Sequence, residues 1–177
     1  GEFISSDDGL KILGLAEKND YHFSTIDKIG SLSFDNSQND KHIEDVLSLN
    51  LVNVDLIKSK NFKVVVDAVN STGGILVPKL LEKLGVECIK LYCDPNGEFP
   101  HNPEPLPENL QEISKMVIST NSDLGIVVDP DVDRLALVCE DGSMFGEEYT
   151  LVSVSDYVLS KTPGNTVSNL SSTRALA

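Results

Sequence analysis

The sequence is short of cations. Its 177 residues carry 14 Lys and Arg against 28 Asp and Glu, a formal net charge of −14. Sequence-independent binding to nucleic acid needs clustered cations that displace counterions, so this balance argues against it. It argues equally against an anionic membrane surface as partner. An anionic small substrate stays open, because a bound divalent cation inverts the local field. No apolar run approaches the roughly 18 residues needed to span a bilayer. The first residues, Gly-Glu-Phe-Ile-Ser-Ser-Asp-Asp, contain neither the basic nor the apolar region of a signal peptide. Cysteine is scarce: Cys88, Cys93 and Cys139 form an odd set with no Cys-x-x-Cys pair. That predicts reduced thiols in a cytoplasmic protein, used as small apolar side chains and not as metal or redox groups. His22, His42 and His101 make no ligand pair by spacing. No internal repeat and no low-complexity tract is present.

What remains is ordinary globular material, 24% charged and 40% hydrophobic. The length suits one domain, or one domain with pieces of its neighbours. Gly1 to Ile4 reads as the end of a strand. Ser5 or Ser6 can cap a helix over about Asp7 to Glu17, with Asp7 and Asp8 at its positive end. Ser31 to Asn39 reads as a linker, and His42 to Leu51 and Val54 to Lys60 as short helices. From Phe62 onward the pattern is regular. Strands are expected at Lys63 to Asp67, Cys88 to Tyr92, Leu124 to Val128, Arg134 to Cys139 and Val167 to Leu170. Helices are expected at Ile75 to Leu84 (closed by Gly85), Pro107 to Ser119 and Glu147 to Leu159, with another starting near Thr173. Strands alternating with helices of this length imply βαβ units. Continuous apolar strands such as Val64-Val-Val imply helices on both faces. The expected fold is therefore α/β: a three-layer α/β/α sandwich on a mostly parallel mixed sheet.

Chemistry concentrates in Asp129-Pro-Asp131-Val-Asp133-Arg134, directly after the apolar run Gly125-Ile-Val-Val128. Three carboxylates alternate over five residues. With neighbouring pairs about 5 Å apart and an effective dielectric of about 20, each like-charge pair would cost roughly 3 kcal/mol. Such a trio needs a cation or a protein partner. Hard oxygen donors with no nearby His or Cys favour Mg²⁺ over Mn²⁺ or Ca²⁺. The place, beyond the carboxyl end of a strand, is where open α/β sheets bind ligands. Three rival readings exist. Asp129, Asp131, Asp133 and Glu140 match positions 1, 3, 5 and 12 of an EF-hand loop, but Arg134 stands where that turn needs Gly, and the flanks are strand-like. An aspartyl phosphotransferase of the haloacid dehalogenase type would use Asp129 as nucleophile and Asp131 as acid/base, but Asp133 replaces the expected Thr or Val. The third is a solvated acidic turn with no metal.

The loop, in this setting, resembles the Asp-x-Asp-x-Asp-Arg metal loop of the α-D-phosphohexomutases, a family of phosphoglucomutases, phosphomannomutases and phosphoglucosamine mutases. Further segments are similar: Val64-Val-Val-Asp-Ala-Val-Asn-Ser-Thr-Gly-Gly74 to the start of the family's second domain, Asn96-Gly-Glu-Phe-Pro-His-Asn-Pro-Glu-Pro105 to its proline loop, and Asp141-Gly-Ser-Met-Phe-Gly-Glu147 to the stretch after the metal loop. The resemblance implies an isomerase that moves a phosphoryl group between the 1- and 6-positions of a hexose phosphate through a phosphoserine and a bisphosphosugar. It implies Asp129, Asp131 and Asp133 as Mg²⁺ ligands and Arg134 as a phosphate-binding residue, unless that guanidinium serves its own Asp neighbours. It implies residues 1–38 as the tail of a first domain, 39–163 as the metal-binding second domain and 164–177 as the start of a third. Partners would be a glucose, mannose or glucosamine phosphate and further domains of the same polypeptide. A non-catalytic cation-binding or interaction module is the alternative from another class.

The family's Ser-His-Asn-Pro nucleophile loop does not occur in the sequence. The resemblance therefore implies that no catalytic serine lies within these residues, and that they are inactive alone. Asn70 to Gly74 could hold an anion at a helix start, although packing and capping explain it as well. His101 is expected either near the cleft or as a solvated loop residue. Arg174 reads as structural.

Overall fold

The computed structural model describes residues 3–169 and 172–176. Contacts divide the chain into two units, Gly1–Asn36 and Ser37–Ala177. The first holds helix α1 (Ser6–Glu17), and Ser5 caps it as expected, its hydroxyl accepting from Asp8 N–H at 3.2 Å. A 3₁₀ turn follows at Ile26–Lys28. Phe3 and Ile4 lie in no strand, contrary to the pattern-based expectation, and Gly1 and Glu2 fall outside the described residues. Among the described residues of this unit there is no strand, so a short apolar run has nothing to form a ladder with.

The second unit begins with α2 (Ser37–Leu47) and α3 (Val54–Lys60). Its sheet has four strands: β1 (Lys63–Asp67), β2 (Glu87–Leu91), β3 (Leu124–Val128) and β4 (Leu135–Cys139). Their spatial order is β2-β1-β3-β4, parallel at β1–β2 and β1–β3 and antiparallel at β3–β4. Helices α4 (Gly73–Lys83) and α5 (Gln111–Thr120) join the parallel strands, and α6 (Glu147–Lys161) packs on β4. The period-two alternation of β1 sends its valines both ways. Val64 and Val66 meet Leu81 of α4 and Val86, while Val65 meets Leu110, Ile113 and Val117 of the α5 side. Two cores on opposite faces of one mixed sheet make the three layers that the continuous apolar strands imply.

Gly125 lets α5 approach β3 closely. A Cβ there would lie 2.9 Å from Val138 Cβ and 3.0 Å from Val117 Cγ2. Further elements depart from expectation. Helix α5 does not start at Pro107: a 3₁₀ turn occupies Pro107–Asn109, and the α-helix begins at Gln111. Val167 to Asn169 form no strand, Val167 is fully exposed, and Leu170 is outside the described residues. No helix among the described residues is long and apolar enough to cross a membrane.

The topology fixes where a ligand can sit. The chain leaves β1 to one side to make β2, then returns to the other side to make β3. Because β1, β2 and β3 run parallel, the segments after them (68–72, 92–106 and 129–134) leave from one edge of the sheet, around this reversal of direction.

Candidate metal centre

The turn from β3 to β4 is built around Asp129. The residue is 6% exposed, and its Oδ1 accepts the Arg134 N–H at 3.0 Å while its carbonyl accepts the Val132 N–H at 3.2 Å. Closing so tight a turn forces Val132 to φ 64°, the left-handed region that a β-branched residue seldom enters. The turn brings one carboxylate oxygen from each of Asp129, Asp131 and Asp133 within 4.8 Å of one another; Asp131 and Asp133 are exposed. The Asp133 carboxyl is held above its ordinary range, first by the charge of Asp131, then by a hydrogen bond to Asp129 and the charge of Asp129. Among the described residues no lysine pairs with the trio. Its donor set is three hard oxygens at the spacing of a shared ligand shell, which fits a small divalent cation. The EF-hand reading fails on this geometry, because strands and not helices flank the turn.

Neighbouring segments hold the loop. Ser71 Oγ and Thr72 Oγ1 both donate to the Pro130 carbonyl, each at 2.7 Å. Their own positions are set by Gly73 and Gly74. A Cβ on Gly73 would lie 2.5 Å from Val128 Cγ2, and one on Gly74 only 2.4 Å from the Cys93 carbonyl oxygen. The segment from Asn70 to Gly74 therefore packs and positions. Asn70 Nδ2 donates to the Glu98 carbonyl at 3.1 Å and its Oδ1 accepts from Asp94 N–H at 3.3 Å, tying this turn to the proline loop. A cleft of about 460 Å³ opens beside Asp131 and Val132, lined also by His42, Thr72 and Leu76.

Arg134 stands at the end of the trio. Its Nη1 pairs with Glu104 Oε2 and its Nε lies 3.9 Å from Asp133 Oδ1, both partners being about half exposed or more. His101 is not a solvated loop residue. Its Nε2 lies 3.0 Å from Oδ2 of buried Asp67, and its ring meets Tyr92 edge to face. Sequence spacing missed the Glu104–Arg134, His101–Asp67 and Ser71/Thr72–Pro130 contacts, whose partners lie 30 to 59 positions apart. Only the flanking prolines of Glu104 hinted that it is held in place.

Comparison with known proteins agrees with this architecture. The family model described as phosphoglucomutase/phosphomannomutase, alpha/beta/alpha domain II, matches residues 40–142. A phosphomannomutase/phosphoglucomutase of Pseudomonas putida is 40% identical over 112 residues, covering 62% of this chain and 24% of that protein. A probable phosphoglucosamine mutase of Methanopyrus kandleri is 34% identical over 153 residues, covering 85% of this chain and 33% of that one. The crystal structure of a phosphoglucomutase/phosphomannomutase family protein from Burkholderia thailandensis superposes with a TM-score of 0.70 at 28% identity, covering 91% of this chain and 33% of its own. The chain thus spans a quarter to a third of the length of these relatives.

Proposed function

The chain belongs to the phosphoglucomutase/phosphomannomutase family, and from that premise we propose that residues 39–163 are the metal-binding domain of a phosphohexomutase. The reaction proposed is the exchange of a phosphoryl group between the 1- and 6-positions of a hexose phosphate, through a phosphoserine and a bisphosphosugar. The serine would come from outside this sequence, as would the sugar-recognising residues; residues 1–38 and 164–177 would belong to flanking domains. Relatives bearing mannose, glucose and glucosamine names support hexose phosphate as the substrate class.

The observation that carries the reading is the gathering of Asp129, Asp131 and Asp133 oxygens within 4.8 Å at the carboxyl end of β3. These side chains would hold Mg²⁺, which when bound would supply positive charge to offset that developing on a transferring phosphoryl. Arg134 presents a planar fork of donors to phosphate oxygens beside that site. Ser71 and Thr72 fix the loop through Pro130, so its carboxylates need little reorganisation to accept the cation.

Calorimetric Mg²⁺ titration of the wild-type chain against Asp131→Asn tests the proposal. Binding in the wild type that is lost or weakened at least tenfold in the variant supports it. Equal heats in both would remove the site.

A further inference from the structure

Resting on the Mg²⁺ reading above, we propose that Glu104 keeps the cation site open by holding the Nη end of Arg134 off the three aspartates. Arg134 follows Asp133 directly in sequence, and its Nε already lies 3.9 Å from Asp133 Oδ1. A guanidinium beside three carboxylates is itself a cation within reach of their field, and left alone it would fold over them. The structure places its Nη1 on Glu104 instead.

Glu104 is held from several directions. It lies between Pro103 and Pro105, whose rings restrict the backbone on both sides. Its N–H donates to Asn102 Oδ1 at 3.1 Å. Its carbonyl accepts from Asn109 Nδ2 at 2.8 Å and from Leu106 N–H at 2.8 Å. The loop that carries it is tied to the sheet edge by His101 on Asp67 and by Asn70 on the Glu98 carbonyl. With its backbone already fixed, this surface carboxylate gives up only side-chain rotamer freedom when it pairs. Glu104 is thus a positioning residue. It acts through Arg134, and it leaves the guanidinium at the rim, where a phosphate can be met by the donors that Glu104 does not use.

The test is a Mg²⁺ titration of four full-chain proteins: wild type, Glu104→Gln, Arg134→Gln and the double variant. Glu104→Gln should weaken Mg²⁺ binding by up to about fivefold, the range open to an exposed ion pair. In the Arg134→Gln background the same change should do nothing. An equal loss in both backgrounds would mean that Glu104 acts by its own charge, and no loss in either would mean that the pair is a passive surface contact; both results overturn the proposal. Cation-free NMR separates its failure from that of the Mg²⁺ reading. Cross-peaks from the Arg134 side chain to Glu104 should move to Asp131 and Asp133 in Glu104→Gln, whether or not Mg²⁺ binds. Their disappearance without new contacts at the aspartates would also overturn it.

Discussion

His101 Nε2 lies 3.0 Å from Oδ2 of Asp67, and Asp67 is 1% exposed at the carboxyl end of β1. The other ring nitrogen, Nδ1, lies 2.8 Å from the Asn102 carbonyl, which can only accept. The ring thus bridges the buried carboxyl and the loop backbone through its two nitrogens. Burial raises the Asp67 pKa above 3.8, against the pull of the Val69 N–H and of His101. A carboxyl raised in the folded state stabilises fully below its ordinary pKa, and that stability is lost as pH rises through the raised value. Relative to Asp67→Asn, the wild type should lose stability as pH climbs from about 3.8 upward. Urea midpoints of both proteins from about pH 3 to about pH 7 measure it; a difference independent of pH would deny the raised Asp67 pKa.

The Pro130 carbonyl receives two hydroxyls, from Ser71 and Thr72. Redundant donors make single deletions mild. Ser71→Ala and Thr72→Val should each cost less than about 0.5 kcal/mol, because the remaining hydroxyl still satisfies the carbonyl. The double variant should cost about 1.5 kcal/mol, more than the sum, which a double-mutant cycle in urea reads directly. Mg²⁺ affinity should fall in the double variant alone. Additive single effects would show that the hydroxyls do not share one acceptor.

Gly74 and Gly125 are both close contacts, but of different kinds. A Cβ on Gly74 would meet backbone atoms of Cys93 at 2.4, 2.7 and 2.8 Å, whereas one on Gly125 would meet side chains at 2.9 to 3.1 Å. The Val117 and Ile113 methyls can shift by a rotamer, while Val138 Cβ moves only with its backbone; at Gly74 every close atom is Cys93 backbone in a strand-end turn. Gly125→Ala should therefore cost about 1–3 kcal/mol, and Gly74→Ala more than about 3 kcal/mol. Since Gly74 follows the turn that holds Pro130, its variant should lose Mg²⁺ binding together with stability. The reverse order of costs in chemical unfolding would count against the close approach of α4 to Cys93.

The sheet was legible because its strands are buried on both faces: Val64-Val-Val and Gly125-Ile-Val-Val leave no polar position to obscure the run. Helix α2 was harder. It starts five residues earlier than its pattern suggests, because Ile43 is its one buried residue and its first turn, Ser37-Gln-Asn-Asp40, carries no apolar period. Val167 misled for the opposite reason. A β-branched residue in a short apolar run looks like a strand wherever it stands, and strands exist only beside partners. In the site, the aspartate trio is local and spacing revealed it. The partners that hold it are not local. Nothing in the neighbourhood of Glu104 names Arg134, and nothing around Asp67 names His101; only the meeting of three loops at one sheet edge pairs them.

Val132 lies at φ 64° between Asp131 and Asp133. An L-residue in that region pays about 1–2 kcal/mol relative to glycine, and a β-branched side chain is the least suited to it. At ordinary helix or strand positions the preference runs the other way, alanine exceeding glycine by about 0.5–1 kcal/mol. The sign of the Gly/Ala difference at position 132 therefore reports the backbone directly. Val132→Gly should unfold at a higher temperature than Val132→Ala by about 2–4 °C, the shift that about 1 kcal/mol produces in a domain of this size. Mg²⁺ binding should move oppositely. Glycine frees the turn that Asp129 closes, so the three carboxylates lose part of their preset spacing, and the more stable variant should bind the cation less tightly. Paired melting curves with and without Mg²⁺ separate the two effects, because ligand stabilisation grows with concentration while backbone relief does not. An alanine variant more stable than the glycine variant would mean that the loop does not hold its left-handed turn in solution, and the gathering of the aspartates would lose its mechanical cause.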